Sequence, residues 1–225
     1  MRVLVVDTAL GLCSAGVFAV EAGVARPLGL RSEVMTKGHQ ERLGGMVRDA
    51  VVEAGGFGAV ERIGVTAGPG SFTGLRVGLA FAQGLGAALD RPVVGISTLD
   101  ALAASAGALP AAAALIDARR GQVYARFWRG GVAEGPAEAL SIEAARERAR
   151  ALGPGTGLIG SGAALIADDV AGAAVFALEG AAPGAIARLA AAADPAANPP
   201  RPLYLRAPDA TPPTRLPGQP RPSAA

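Results

Sequence analysis

Hydrophobic positions follow two rhythms along the first hundred residues. Val3-Leu4-Val5-Val6 is a continuous apolar run ending on Asp7, as a buried strand does, and after a turn over residues 8–11 a second run covers 13–20. Gly23 separates it from a third candidate strand over 25–34, so an antiparallel meander opens the chain. From residue 39 the period changes. Leu43, Met46, Val47, Ala50, Val51 and Ala54 recur at i, i+3, i+4, i+7, i+8 and i+11, which predicts an amphipathic helix over 39–54 stopped by Gly55-Gly56. A strand over 63–67, a glycine-rich loop, a helix from 73 to 89, a strand over 92–96 and a helix over 98–106 follow.

A second unit begins near Pro110 and repeats the outline. It reads as strands over 112–117 and 122–128 joined by a tight turn, a helix over 142–152, a strand near 158–159, a short helix over 163–168, a strand over 174–178 and a helix over 183–193. Ten of the 17 prolines lie between Pro195 and Pro222, so the end reads as an extended tail in which Leu203-Tyr204-Leu205-Arg206 is the part expected to dock. The expected organisation is an N-terminal unit over 1–108, a smaller unit over 109–198 and a proline-rich tail over 199–225.

Composition narrows the chemistry. At 225 residues and 51% hydrophobic content the chain can bury a core, and a net charge of +2 makes no electrostatic trap for nucleic acid. One cysteine and one histidine exclude an intramolecular disulfide and a structural zinc site. Runs such as 93–96 and 111–116 are too short to span a bilayer, and no charged-then-apolar signal opens the chain, so a cytoplasmic protein without membrane contact is expected.

The candidate chemistry centres on Gly68-Pro69-Gly70-Ser71-Phe72-Thr73-Gly74, between a strand and a helix. Such a loop exposes backbone N–H groups at the positive end of a helix dipole and suits a phosphate or carboxylate; it serves equally as a tight turn where backbones approach closely. A P-loop needs a lysine after its last glycine, but Leu75-Arg76 stands there and Lys37 is the only lysine. Asp7 at its strand end, with Gly68, Gly70, Ser71, Thr73 and Gly74, forms the candidate anion or nucleotide site. Asp117 is expected to fix its own turn or pair with Arg119.

Beyond the loop, Gly74, Gly78, Ala82 and Gly86 line one helix face with small side chains, and glycine inside a helix costs about 1 kcal/mol against alanine. Close packing on the chain's own sheet or on another subunit would both explain this. The subunit interface is the favoured expectation, with Leu43 and Met46 of the preceding helix beside it. His39 reads as a helix-entry residue or a general base, Cys13 as a small core residue, and Glu143, Arg146, Glu147 and Arg150 as a solvated helix face.

Several segments, in order, closely resemble the bacterial TsaB (YeaZ) family. They are Val6-Asp7-Thr8-Ala9 with Cys13-Ser14, Gly38-His39-Gln40-Glu41-Arg42-Leu43, the run from Ala67 to Gly78, Gly95-Ile96-Ser97-Thr98-Leu99, Ile116-Asp117-Ala118-Arg119-Arg120-Gly121-Gln122-Val123-Tyr124 and Pro202-Leu203-Tyr204-Leu205-Arg206. The stretch 130–193 matches in outline only. The resemblance implies an α/β chain of the actin/Hsp70-like ATPase (ASKHA) superfold, in two related subdomains with the second reduced. It also implies a non-catalytic scaffold in the synthesis of N6-threonylcarbamoyladenosine beside the tRNA anticodon. Such a subunit pairs with a TsaD-like paralogue, supports a TsaE-like ATPase, forms a homodimer when alone and meets tRNA through the complex, with ATP and metal held by the partners.

In this family the dimer contact lies on the first two long helices. The metal-binding paralogue carries a histidine pair where this chain has His39 alone. Gly44-Gly45 replaces a leucine-rich stretch usual in the first helix, and the tail beyond Arg206 is longer than docking requires. An ASKHA-type ATPase or small-molecule kinase using Asp7 and the glycine loop, and a peptidase-like hydrolase using Cys13 or Ser71, are the alternative readings.

Overall fold

The computed structural model describes residues 1–35 and 37–206; the tail expected over 199–225 therefore lies outside the described residues from 207 onward. The first sheet holds β1 (Arg2–Asp7), β2 (Leu12–Glu21), β3 (Val24–Val34), β4 (Arg62–Gly68) and β5 (Val93–Ser97) in the order β3-β2-β1-β4-β5. The three strands of the meander are antiparallel, whereas β1, β4 and β5 run parallel. Parallel neighbours need crossover helices, which α2 (Phe72–Leu89) supplies between β4 and β5. β1 is central and buried on both faces, which is why its apolar run does not alternate. Leu4 and Val6 face α2 and α1 (His39–Glu53), while Val3 and Val5 face a second core built with α3 (Thr98–Ser105).

The second sheet repeats the plan. β6 (Ala111–Asp117) takes the place of β1, β7 (Gln122–Arg129) that of β2, and β10 (Gly157–Ile159) and β11 (Ala174–Phe176) those of β4 and β5, in the order β11-β10-β6-β7-β8. β8 (Val132–Ala133) and β9 (Glu138–Ser141) share the edge that β3 holds in the first sheet. α4 (Ile142–Leu152) follows, with the Ser141 hydroxyl accepting from the Ala144 N–H. The counterpart of α2 has shrunk to two 3₁₀ turns, Ala163–Leu165 and Ala167–Asp169. This is the duplicated α/β arrangement of the actin/Hsp70-like ATPase superfold, with a reduced second half. The charged face of α4 is exposed at Glu143, Glu147 and Arg150 as expected, with Arg146 partly covered; Arg146 and Arg150 both pair with Asp169, at 2.6 and 3.0 Å.

Two features interlock the halves. α5 (Pro183–Ala192), expected within the second unit, packs on β1, β2, β3 and β4 of the first sheet, and Gly64 leaves room for Ala190 where a Cβ would stand 2.5 Å from it. Arg62 Nη1 donates to the carbonyls of Ala190, Ala191 and Ala193 at 2.8, 3.1 and 2.7 Å, satisfying the C-terminal end of α5. The segment 198–206 then straps the surface. Gly95 N–H donates to the Asn198 carbonyl (2.9 Å), covering the β5 edge; Leu203 N–H donates to the Ala67 carbonyl (2.7 Å); and Arg206 reaches Gln122 Oε1 (2.6 Å) in the second half.

α2, at 18 residues, is long and apolar enough to cross a membrane by length and composition, against the expectation of short apolar runs only. Here one face of it lies on the sheet, burying Gly74, Leu75, Gly78, Leu79, Ala82 and Gly86.

Candidate functional site

The end of β1 delivers Asp7 to the junction of the β1–β2 turn and the glycine loop after β4. Asp7 is fully buried. Its Oδ1 accepts from the Ala9 N–H (2.9 Å) and from the Thr66 hydroxyl (2.7 Å), and its Oδ2 has no partner among the described residues. Burial pushes the Asp7 carboxyl above the ordinary carboxylate range, against the lowering influence of these two bonds and of His39. Thr66 is a hydroxyl in the apolar run 63–67 of β4, the signal in the sequence that could have marked it as a partner of a buried group.

The loop glycines serve backbone approach. A Cβ at Gly70 would overlap the Ala9 carbonyl, and one at Gly74 the Thr8 carbonyl. Ser71 N–H donates to the Ala9 carbonyl (2.8 Å), the Ser71 hydroxyl caps α2 by accepting from Gly74 N–H (3.2 Å), and the Thr8 hydroxyl donates to the Gly74 carbonyl (2.7 Å). Gly68 has a φ of 112°, a conformation that favours glycine, and lies under the Leu203 carbonyl of the strap, 2.8 Å from where a Cβ would be. The β1–β2 turn and the strap thus press their carbonyls against Gly70, Gly74 and Gly68, and close backbone approach accounts for glycine at these positions. Thr73 remains exposed and borders a separate cavity of about 340 Å³ with Ser71, Gly74, Lys37 and His39.

The remaining candidates separate. Cys13 is fully buried in the first core with Met46 Sδ 3.8 Å away, and burial pushes its thiol up to about 11. Asp117 fixes its own turn: its carboxylate accepts from the Arg119 N–H (2.8 Å) and pairs with the Arg119 guanidinium (3.2 Å). Among the described residues no three His, Cys, Asp or Glu side chains gather as a metal site would require.

The small-residue stripe does not face outward. A Cβ at Gly78 would overlap the Thr8 hydroxyl and one at Gly86 the Val93 side chain, while Ala82 and Met46 are buried in the chain's own core and Leu43, also buried, lines the floor of the neighbouring groove. Small side chains are required there because β1, β5 and the β1–β2 turn press against α2. What the two helices expose is a neighbouring groove of about 530 Å³, between Gln40 and Gly44 of α1 and Phe72, Arg76, Ala80 and Phe81 of α2. Its mouth carries a cluster that periodicity does not signal: Arg76 stacked on Phe72 and bonded to Tyr204 of the strap.

Comparisons with known proteins agree with this geometry. The family model described as TsaD, tRNA N6-adenosine threonylcarbamoyltransferase, matches residues 17–142. The chain is 36% identical over 129 residues to the tRNA threonylcarbamoyladenosine biosynthesis protein TsaB of Escherichia coli, a match covering 55% of this chain and 53% of that protein. It thus spans about half the length of that curated relative. Over 218 residues it is 37% identical to an uncharacterized protein of Mycobacterium tuberculosis, covering 93% of this chain and 94% of the other. A crystal structure from Pseudomonas aeruginosa, described as an uncharacterized protein with similarity to peptidase YeaZ, superposes with a TM-score of 0.73. It is 30% identical and covers 91% of this chain and 99% of that one.

Proposed function

Because the chain belongs to the TsaB (YeaZ) family, we propose that it is a non-catalytic scaffold subunit in the synthesis of N6-threonylcarbamoyladenosine in tRNA. It pairs with a TsaD-like paralogue, which supplies metal and transfer chemistry, and the pair supports a TsaE-like ATPase in the cytoplasm. Alone, the chain forms a homodimer; tRNA is met through the complex. The observation that supports the non-catalytic part is the close backbone approach at the loop: Ala9 and Thr8 carbonyls stand against Gly70 and Gly74, and Ser71 N–H is already bonded to Ala9. A kinase or ATPase reading needs those N–H groups for phosphate. A hydrolase reading on Cys13 needs a thiolate, which burial opposes.

For the scaffold role, the exposed groove between α1 and α2 is the contact surface. Subunit contacts between helices need apolar centres with polar rims, and Ala80 and Phe81 lie between Gln40 and Arg76 here. Mixing the purified chain with the TsaD homologue of the same organism and sizing the mixture with light scattering tests this. A one-to-one complex, lost in Ala80→Arg at unchanged melting temperature, is expected. Absence of any complex with nucleotide present, together with magnesium-dependent ATP turnover by the chain alone, would refute it.

A further inference from the structure

Two motifs far apart in sequence meet at the mouth of the groove. Arg76 follows the glycine loop, and Tyr204 lies in the strap 128 residues later. The Arg76 guanidinium carbon sits 3.6 Å from the centre of the Phe72 ring and 5.9 Å from that of Tyr204, whose rings are 5.6 Å apart and tilted by 36°. Arg76 Nε donates to the Tyr204 hydroxyl at 3.1 Å. The strap that carries Tyr204 is itself pinned, by Leu203 N–H on the Ala67 carbonyl on one side and by Arg206 on Gln122 Oε1 on the other.

Stacking on one ring and bonding through Nε leave the two terminal NH₂ groups of Arg76 without a bonded partner among the described residues, held in a fixed plane. No carboxylate of the described residues pairs with Arg76, and no acidic side chain lines the groove beside it. Phe72 is 54% exposed and Tyr204 44%, so this arginine is oriented by aromatic groups that are themselves at the surface. A long, flexible cation held in one pose next to an apolar groove is preorganised for a planar anion, because the ordering entropy is already spent in the free chain. The fork of two parallel N–H donors matches a carboxylate bidentately.

We propose that the strap makes Arg76 a carboxylate receptor at the rim of the α1–α2 groove, with Tyr204 as its positioning residue. The partner subunit seated in the groove then presents an Asp or Glu side chain to the terminal NH₂ groups of Arg76. This rests on the reading that the groove seats a partner subunit. It adds the charge chemistry of the contact and assigns a role to the C-terminal segment.

The test is calorimetric titration of the full chain with the TsaD-type paralogue at low and high salt, for wild type, Arg76→Gln, Arg76→Lys and Tyr204→Phe. Arg76→Gln is expected to weaken binding about tenfold at low salt and to flatten the salt dependence. Arg76→Lys restores the salt dependence without the full affinity, since a point charge replaces the fork. Tyr204→Phe keeps the ring and loses the Nε bond, weakening binding about threefold with the salt slope reduced. All four are expected to melt together, because both side chains are at the surface. Wild-type binding with Arg76→Gln indistinguishable from it would overturn the receptor and leave the scaffold reading standing. Loss of tRNA affinity in Arg76→Gln with paralogue binding intact would overturn it in favour of a phosphate. A wild type that binds neither the paralogue nor a second copy of itself would overturn both readings.

Discussion

The two glycines Gly78 and Gly84 sit in the same helix, and replacing each by alanine separates close packing from helix propensity. Nothing lies within 4 Å of a Cβ at Gly84, which is exposed, so Gly84→Ala is expected to stabilise by the propensity difference, about 0.5–1 kcal/mol. At Gly78 the same gain is available, but the new methyl would overlap the Thr8 hydroxyl and stand 3.7 Å from Val65. Thr8 cannot turn away freely, because its hydroxyl donates to the Gly74 carbonyl at 2.7 Å in a buried position. Overpacking costs about 1–3 kcal/mol and a lost buried hydrogen bond about 1–3 more, so Gly78→Ala should destabilise by about 1–5.5 kcal/mol after the propensity gain. Urea melts of both variants, with Gly78→Ala also made in a Thr8→Ala background, measure this. The double variant should recover at least about 1 kcal/mol of the Gly78→Ala loss, since the obstructing atom is gone. If Gly78→Ala stabilises as much as Gly84→Ala and does not couple to Thr8, the stripe faces outward and the packing argument fails.

Two further predictions concern the buried titrating groups. Burial raises the Asp7 carboxyl, so the folded chain holds that proton more tightly than the unfolded chain; stability falls as pH rises from the ordinary value of about 4 toward the folded one. Asp7→Asn should remove that part of the slope in urea melts taken across the acid range, and parallel pH profiles for the two proteins would sink the assignment. Cys13, with its thiol near 11 and fully buried, should resist alkylation at mildly alkaline pH until the chain is unfolded, and fast modification of the native protein would contradict its place in the core.

What was legible in the sequence follows from where its periodicity is generated. β1 and β2 reveal themselves as continuous apolar runs because both their faces are buried, and α1 as an amphipathic period because one face of it packs on the first core. β8 and β9 are two and four residues long and exist through pairing with β7, which a local pattern does not encode. The helix expected over 163–168 is too short to repay nucleation and settles as two 3₁₀ turns. α5 was legible as a helix but not as a lid on the first sheet, because the choice between two apolar faces is made by tertiary fit, here the gap at Gly64 and the reach of Arg62.

The glycine loop was legible as a place of close approach and illegible as to what approaches. A phosphate and a peptide carbonyl make the same demand: no Cβ, and N–H groups aimed outward. At Gly70 and Gly74 the approaching groups are the carbonyls of Ala9 and Thr8, and the Ser71 N–H is bonded to the first of them. The same substitution of interior for exterior partner holds along α2, where Thr8 and Val93 stand where a second subunit was expected. Moving the stripe inward does not remove the case for a partner; it rotates that case onto the other side of the helix. There Phe72, Arg76 and Ala80 are exposed beside Gly44, and a tyrosine from the C-terminal strap holds the arginine of the groove in place. At Gly70 and Gly74 the chain meets its own carbonyls, and the surface arginine held in a fixed pose lies on the face of α2 proposed for the partner.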